Sequence, residues 1–164
     1  LVFPMPVMKQ SPEDSQQGFR VRLPAQIRLV RVKFERPNWP LKIETSEVAP
    51  WFADFEPNGS YYTTLAVDQS DGPFRDRIYA AWEDRSSGRS QVKFSFSKDM
   101  GKTWSHPRLI DDDVARQAGD TIHGPDDIHG VVAVNPQGVV GVMWLDRRAF
   151  PDGIRHCSSS AGYL

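Results

Sequence analysis

Disulfide bonding is closed to this sequence, because Cys157 is its only cysteine and no covalent framework can hold the fold. An excess of either charge is missing too. Lys plus Arg total 20 against 21 for Asp plus Glu, a net charge of -1. That balance removes the electrostatic reason to expect nucleic acid or a membrane surface as partner. No apolar run approaches the ~20 residues that a membrane span requires. No phosphate-cradling glycine loop and no Ser-His-Asp spacing occurs, and nothing calls for a cofactor. The opening Leu1-Val2-Phe3-Pro4-Met5-Pro6-Val7 has no initiator Met and no charged stretch ahead of an apolar core. It does not read as a signal peptide but as an internal cut, so the expectation is a fragment.

What is present suits one all-β domain. The chain has 164 residues, 39% of them hydrophobic, with 13 Pro, 12 Gly and five Trp. Turn formers with large aromatics fit many short strands. Residues 1–17 are rich in Pro, Gln and Ser and predict a loose N-terminal arm. Residues 18–50 predict strands of a preceding unit or irregular chain, because Phe19 to Val32 alternates apolar with basic residues. Strands are predicted over 61–68, 77–82, 91–97 and 108–110, then over 130–135 and 139–145. Between them, 111–127 is a polar, acidic loop with room for one short helical turn.

An internal repeat organises this pattern. Leu65-Ala66-Val67-Asp68 recurs as Val132-Ala133-Val134-Asn135. Trp82-Glu83-Asp84-Arg85 recurs as Trp144-Leu145-Asp146-Arg147. Ser97-Lys98-Asp99-Met100-Gly101 is echoed by Ser158-Ser159-Ser160-Ala161-Gly162, with Ser at the Asp position. Three landmarks in one order predict two copies of a four-stranded unit, the first over 60–110. The second, incomplete copy lies within 111–164, after the acidic loop.

The most distinctive segment is Ser97-Lys98-Asp99-Met100-Gly101-Lys102-Thr103-Trp104. Ser97 and Asp99 can accept from backbone N–H groups that a tight turn leaves unpaired. Gly101 suits a positive φ, and Trp104 can bury a large ring under the turn. With the strands around it, this segment resembles the Asp-box turn of the sialidase-like, BNR-repeat β-propellers. Residues 60–150 are similar to an Asp-box blade and the start of the next. The resemblance implies an all-β propeller fragment of about two antiparallel four-stranded blades, the second incomplete. It implies that Ser97, Asp99, Gly101, Thr103 and Trp104 are structural, on the rim away from any ligand. It also implies an extracellular or periplasmic location.

A sialidase grips a carboxylate with three arginines and adds an Asp acid/base and a Tyr–Glu nucleophile. Arg85, after Ala80-Ala81-Trp82-Glu83-Asp84, matches one of those arginines. The strand where Arg-Ile-Pro belongs reads Tyr61-Tyr62-Thr63-Thr64-Leu65, and Ser86-Ser87-Gly88-Arg89-Ser90 holds no acid/base carboxylate. Phe19-Arg20-Val21-Arg22-Leu23-Pro24 imitates the missing motif too far upstream. The reading is a non-catalytic, sialidase-like domain that binds a glycan or protein. Its ligand-binding candidates are Arg85, Trp144, Arg147 and Arg148. The alternative is part of an exo-α-sialidase whose catalytic residues lie outside this chain. Asp111, Asp112, Asp113, Asp120, Asp126 and Asp127 lack Ca²⁺-loop spacing and read as a solvated acidic loop. His123 and His129 lack Cys or Glu partners for zinc, so no metal site is assigned. Asn58-Gly59-Ser60 fits a glycosylation acceptor but reads first as a turn. Open blade edges predict self-association.

The chain should therefore not hydrolyse a fluorogenic sialoside. Without a general acid alone the loss is about 10²–10⁴-fold. Turnover that survives Arg85→Ala and vanishes in Arg20→Ala would relocate the site to the N-terminal strands.

Overall fold

The computed structural model describes residues 2–8, 22–33, 42–54, 63–87, 89–112 and 126–148. Among these there is no helix, hence none long and apolar enough to cross a membrane. The elements are β1 (Val2–Met8), β2 (Arg22–Lys33), β3 (Lys42–Asp54), β4 (Thr63–Val67) and β5 (Ile78–Asp84). They continue with β6 (Gln91–Ser97), β7 (Arg108–Leu109), β8 (Asp127–Val134) and β9 (Val140–Asp146). All pairing is antiparallel and between sequence neighbours. Sheet A is β1-β2-β3, sheet B is β4-β5-β6-β7 and sheet C is β8-β9. No sheet closes on itself among the described residues.

Two sequence expectations change at the N-terminal side. Residues 2–8, read as part of a loose arm, pair with β2 along their whole length. Proline in an edge strand leaves its missing N–H on the open side, so Pro4 and Pro6 do not forbid pairing. The stretch around 18–50, left between strand and irregular chain, holds most of the long β2–β3 hairpin. A register shift there lets β3 place the neighbours Val48 and Ala49 both in the interior, as one extra residue in a bulge does. The helical turn considered near 114–118 and the turn at Asn58 lie outside the described residues.

The layers follow from β5. Its residues alternate between two faces, and both faces are buried. Ile78, Ala80 and Trp82 pack with Ile27 and Leu29 of β2 and Val48, Ala49 and Trp51 of β3. Tyr79 and Ala81 pack with Val132, Val134, Val140 and Val142 of sheet C, helped by Phe94 and Phe96. Sheet B is thus the middle of a stack A–B–C. A strand covered on both faces reads as a continuous apolar run, which is why Ile78-Tyr79-Ala80-Ala81-Trp82 lacks alternation.

Polar links pin each layer to the next. Trp51 Nε1 donates to the Glu83 carbonyl at 2.6 Å, joining A to B. Between B and C, Thr64 Oγ1 donates to the Gly130 carbonyl at 3.2 Å and accepts from Val132 N at 3.0 Å. A Cβ at Gly130 would stand 2.8 Å from Val92 Cγ1, so only glycine lets β8 approach β6 this closely.

The sequence repeat is also a structural one. Leu65 pairs with Ala80 in the first hairpin, and their matched positions Val132 and Val142 pair in the second. Asp68 Oδ1 accepts from Ser70 N at 2.8 Å, and Asn135 Oδ1 accepts from Gln137 N at 3.0 Å. At the other end Asp84 Oδ1 accepts from Ser86 N at 3.0 Å, and Asp146 Oδ1 from Arg148 N at 2.7 Å. Register and both Asx turns therefore recur. The copies differ in the connection, which is five residues shorter in the second: Leu65 and Ala80 stand 15 positions apart, Val132 and Val142 ten.

Trp82 is fully buried at the centre of the A–B layer. Trp82→Ala should cost about 3–5 kcal/mol, read as a lower urea midpoint, whereas truncating the exposed Met100 should leave the midpoint unchanged.

Candidate functional site

The two ends of the stack differ in chemistry. One end carries the turn at 97–104 and the connections 68–77 and 135–139. The other carries the loop 85–90, the start of β8 and the end of β9.

At the first end, Ser97 Oγ accepts from Gly101 N at 2.7 Å and Asp99 N at 3.3 Å while donating to Asp99 Oδ1 at 2.8 Å. Asp99 Oδ1 also accepts from Lys102 N and Thr103 N, at 3.0 and 2.9 Å. Thr103 Oγ1 donates to Asp99 Oδ2 at 2.6 Å. The Thr103 hydroxyl and N–H, then the Ser97 hydroxyl, hold the Asp99 carboxyl well below its usual pKa. This carboxylate is a locked anion that organises its own turn and has no protons to trade near neutral pH.

The turn is also docked onto sheet A. Met100 and Gly101 both have positive φ, 58° and 81°. Arg31 Nη1 donates to the Met100 carbonyl at 3.2 Å, and the Ser46 hydroxyl donates to the Gly101 carbonyl. A Cβ on Gly101 would lie 2.1 Å from Leu29 Cδ2, inside any possible contact. Trp104, expected to be largely buried, is half-buried and packs at the border of the A–B core.

At the same end an open cleft of ≈ 400 Å³ runs between the connections of the two hairpins, lined in part by Gln69, Ser70, Asp71 and Asn135. It offers one carboxylate and no cation, which is little for an acid/base pair or an anion clamp.

The opposite end holds the charges. Ser90 is its hub, fully buried. Its hydroxyl donates to Glu83 Oε1 and accepts from Arg85 Nε, both at 2.6 Å. Its N–H donates to Asp126 Oδ1 at 2.8 Å, and its carbonyl accepts from Asp127 N at 3.0 Å. Arg85 also lies 3.5 Å from Glu83 Oε1. Arg89 and Asp111 form a buried pair at 3.8 Å, and Asp111 Oδ2 accepts from Val92 N at 3.2 Å. The Asp111 carboxylate thereby extends the ladder past the end of β7. Lys93 Nζ reaches Asp84 Oδ1 at 2.6 Å.

The acidic residues 111, 126 and 127 are accordingly not a solvated loop. All three side chains are buried. Burial of a carboxylate is costly unless N–H groups and cations meet it, and the 89–92 segment supplies such partners to Asp111 and Asp126. Of the other acidic candidates, Asp112 is exposed and Asp113 and Asp120 lie outside the described residues, as does His123. No group of three or more metal-ligating side chains occurs among the described residues.

The ligand-binding candidates Arg85, Arg147 and Arg148 do share this end. Arg148 is held by Asp146 and Asp112, and that partnership holds the Asp112 carboxyl below its usual value. Arg147 donates its backbone N–H to the Asp126 carbonyl at 3.3 Å, and its guanidinium has no partner among the described residues. Trp144 stands inward of them on the β9 face toward sheet B, half-buried. Arg89, Ser90, Asp111 and Asp126 were not anticipated as site residues. Ser90 and Arg89 sit in an ordinary-looking Ser-Ser-Gly-Arg-Ser loop, and only the approach of β8 gives them partners.

Chemically this end is a matched network. Glu83 meets Arg85, Asp84 meets Lys93, Asp111 meets Arg89, and Arg148 is shared by Asp112 and Asp146, while Asp126 Oδ1 accepts from Ser90 N. No family model, curated protein or solved structure matches the chain.

Two outcomes follow. Gly101→Ala combines a positive φ with a clash against Leu29, so it should cost about 2–4 kcal/mol by urea unfolding. Asp99→Asn should destabilise most at neutral pH. The folded-state carboxyl titrates below the unfolded value of about 3.9, so its contribution is complete above that pH and lost as pH falls through the lowered folded value. Unfolding midpoints of wild type and Asp99→Asn should therefore converge as pH drops toward 2.

Proposed function

We propose that this chain is part of a non-catalytic, sialidase-like propeller domain that binds a carbohydrate or protein ligand at its charged end. The observation that carries the reading is the recurrent hairpin, repeated in register and in both Asx turns and stacked face to face. Repetition of one sheet unit around a stack is the propeller principle. In this reading the 97–104 turn is a scaffold part, matching the implied role of Ser97, Asp99, Gly101, Thr103 and Trp104. In the same reading Arg85, Arg147 and Arg148 border the ligand end, and Trp144 stands behind them.

The non-catalytic part of the proposal rests on charge matching. A carboxylate clamp needs guanidinium forks turned toward the ligand. Here Arg85, Arg89 and Arg148 are engaged by Glu83, Asp111, Asp112 and Asp146. Arg147 is the cation best placed to meet a ligand, and one guanidinium supports recognition rather than transition-state charge stabilisation.

Titration of ¹⁵N-labelled protein with sialyllactose, a neutral oligosaccharide and an acidic peptide tests this. Shifts should cluster at 85–90 and 144–148, and Arg147→Ala should weaken binding about 10-fold, the scale of one lost charge-assisted hydrogen bond. Shifts confined to 68–71 and 135–136 would move the ligand to the other end.

A further inference from the structure

Asp68 is fully buried, yet only one of its oxygens is satisfied. Oδ1 accepts from Ser70 N at 2.8 Å, whereas Oδ2 has no hydrogen-bond partner among the described residues. The guanidinium groups of the same connection are turned elsewhere. Arg75 donates to the Ser70 carbonyl at 3.1 Å and to Asp71 Oδ1 at 2.6 Å, and Arg77 lies 4.0 Å over the Phe74 ring. A buried carboxylate in this position is costly, so it takes up a proton or a cation. The N–H donated to Oδ1 favours the ionised form, and with it the cation.

The second hairpin supplies the other wall of the site. A Cβ on Gly138 would stand 2.8 Å from Ser70 Oγ and 3.3 Å from Asp68 Oδ2, so both oxygens face one bare Cα. The connections 68–77 and 135–139 thus close a cradle walled by a carboxylate oxygen and a hydroxyl oxygen. Oδ2 is sealed from bulk water. Ca²⁺ sits about 2.3–2.6 Å from its oxygens, closer than a hydrogen-bonded water does, so a sealed oxygen pair suits the ion better. No histidine or cysteine occurs in either connection. The donors are therefore hard oxygens, the choice of Ca²⁺ rather than zinc. Asp68 and Ser70 also stand two positions apart, as the first two ligands of a Ca²⁺ loop do. The rest of that loop's spacing is absent, and the second connection closes the cradle in its place.

We propose that Asp68 Oδ2 and Ser70 Oγ hold a Ca²⁺ ion between the connections of the two hairpins. Ser70 also lines the open cleft beside Asp71 and Asn135, so the ion enters from that side. Water from the cleft completes its shell of about six to eight oxygens. Mg²⁺ demands a smaller, octahedral shell and gives up its water reluctantly, so two fixed oxygens serve it less well. With a single carboxylate the affinity is weak, with Kd on the order of 10⁻⁴–10⁻³ M. The ion ties sheet B to sheet C at the end away from the charged network. It acts on the stability of the stack, whether or not the charged end binds a ligand.

Urea unfolding of the full chain at constant ionic strength, first in EDTA and then in CaCl₂ up to about 10 mM, tests it. At roughly ten times Kd the folding equilibrium constant should rise about 10-fold, read as a higher midpoint. MgCl₂ at the same concentration should raise it much less. Asp68→Asn removes the charge and keeps the turn, since Asn135 accepts in the same way at the matched position of the second hairpin. It should fold and lose the Ca²⁺ response, while Asp112→Asn at the charged end should respond like wild type. In ¹⁵N spectra of wild type, the amides shifted by Ca²⁺ should cluster at 68–72 and 135–139. If Asp68→Asn fails to fold, those shifts give the reading. A wild-type midpoint indifferent to Ca²⁺ overturns the proposal and assigns Asp68 a proton instead. An equal response in Asp68→Asn, an equal response to Mg²⁺, or shifts confined to 111–127 would overturn it as well.

Discussion

Strand β5 has no solvent face, and the arrangement of the other sheets follows from that. Its even positions need a cover of branched and aromatic side chains, which the β2–β3 hairpin supplies through Ile27, Leu29 and Trp51. Its odd positions need another, which β8 and β9 supply through four valines. A strand of five consecutive apolar residues is stable only between two layers. The A–B–C stack is the arrangement that gives it both.

Once the layers are set, the ends take up separate tasks. The Ser97–Asp99–Gly101 turn meets sheet A through Leu29, Arg31 and Ser46, so a local hydrogen-bond motif becomes a joint between layers. At the far end, Ser90 joins the β5–β6 loop to the start of β8. There the polar groups are buried because sheet C leans over them. Low local dielectric strengthens such a network only when each member is satisfied. The exchange of Ser90 with Glu83, Arg85 and Asp126 meets that condition.

Much of the local structure was legible before any fold. The predicted strands at 61–68, 77–82, 91–97, 130–135 and 139–145 each overlap an observed one, since their apolar runs are cut by Asp, Gly and Ser. The hydrogen bonds of the 97–104 turn could be drawn from Ser97, Asp99 and Gly101 alone, because all the partners lie within seven residues. The pairing of β1 was not legible. A Pro-rich segment carries no periodic signal, and its partner β2 begins more than a dozen residues later. Nor was the burial of Asp111, Asp126 and Asp127, which look like solvent-facing acids in any window of local sequence.

The sequence by itself determined the all-β class, the repeat and the turn chemistry, because each depends on residues within hydrogen-bonding or pleat distance along the chain. Tertiary structure alone decided that Trp104 is half-covered, that Arg89 meets Asp111 and that Ser90 meets Asp126. It also decided that sheet C keeps one apolar face open. Those outcomes depend on how sheets pack across tens of residues, where side-chain period gives the face but not what lies against it.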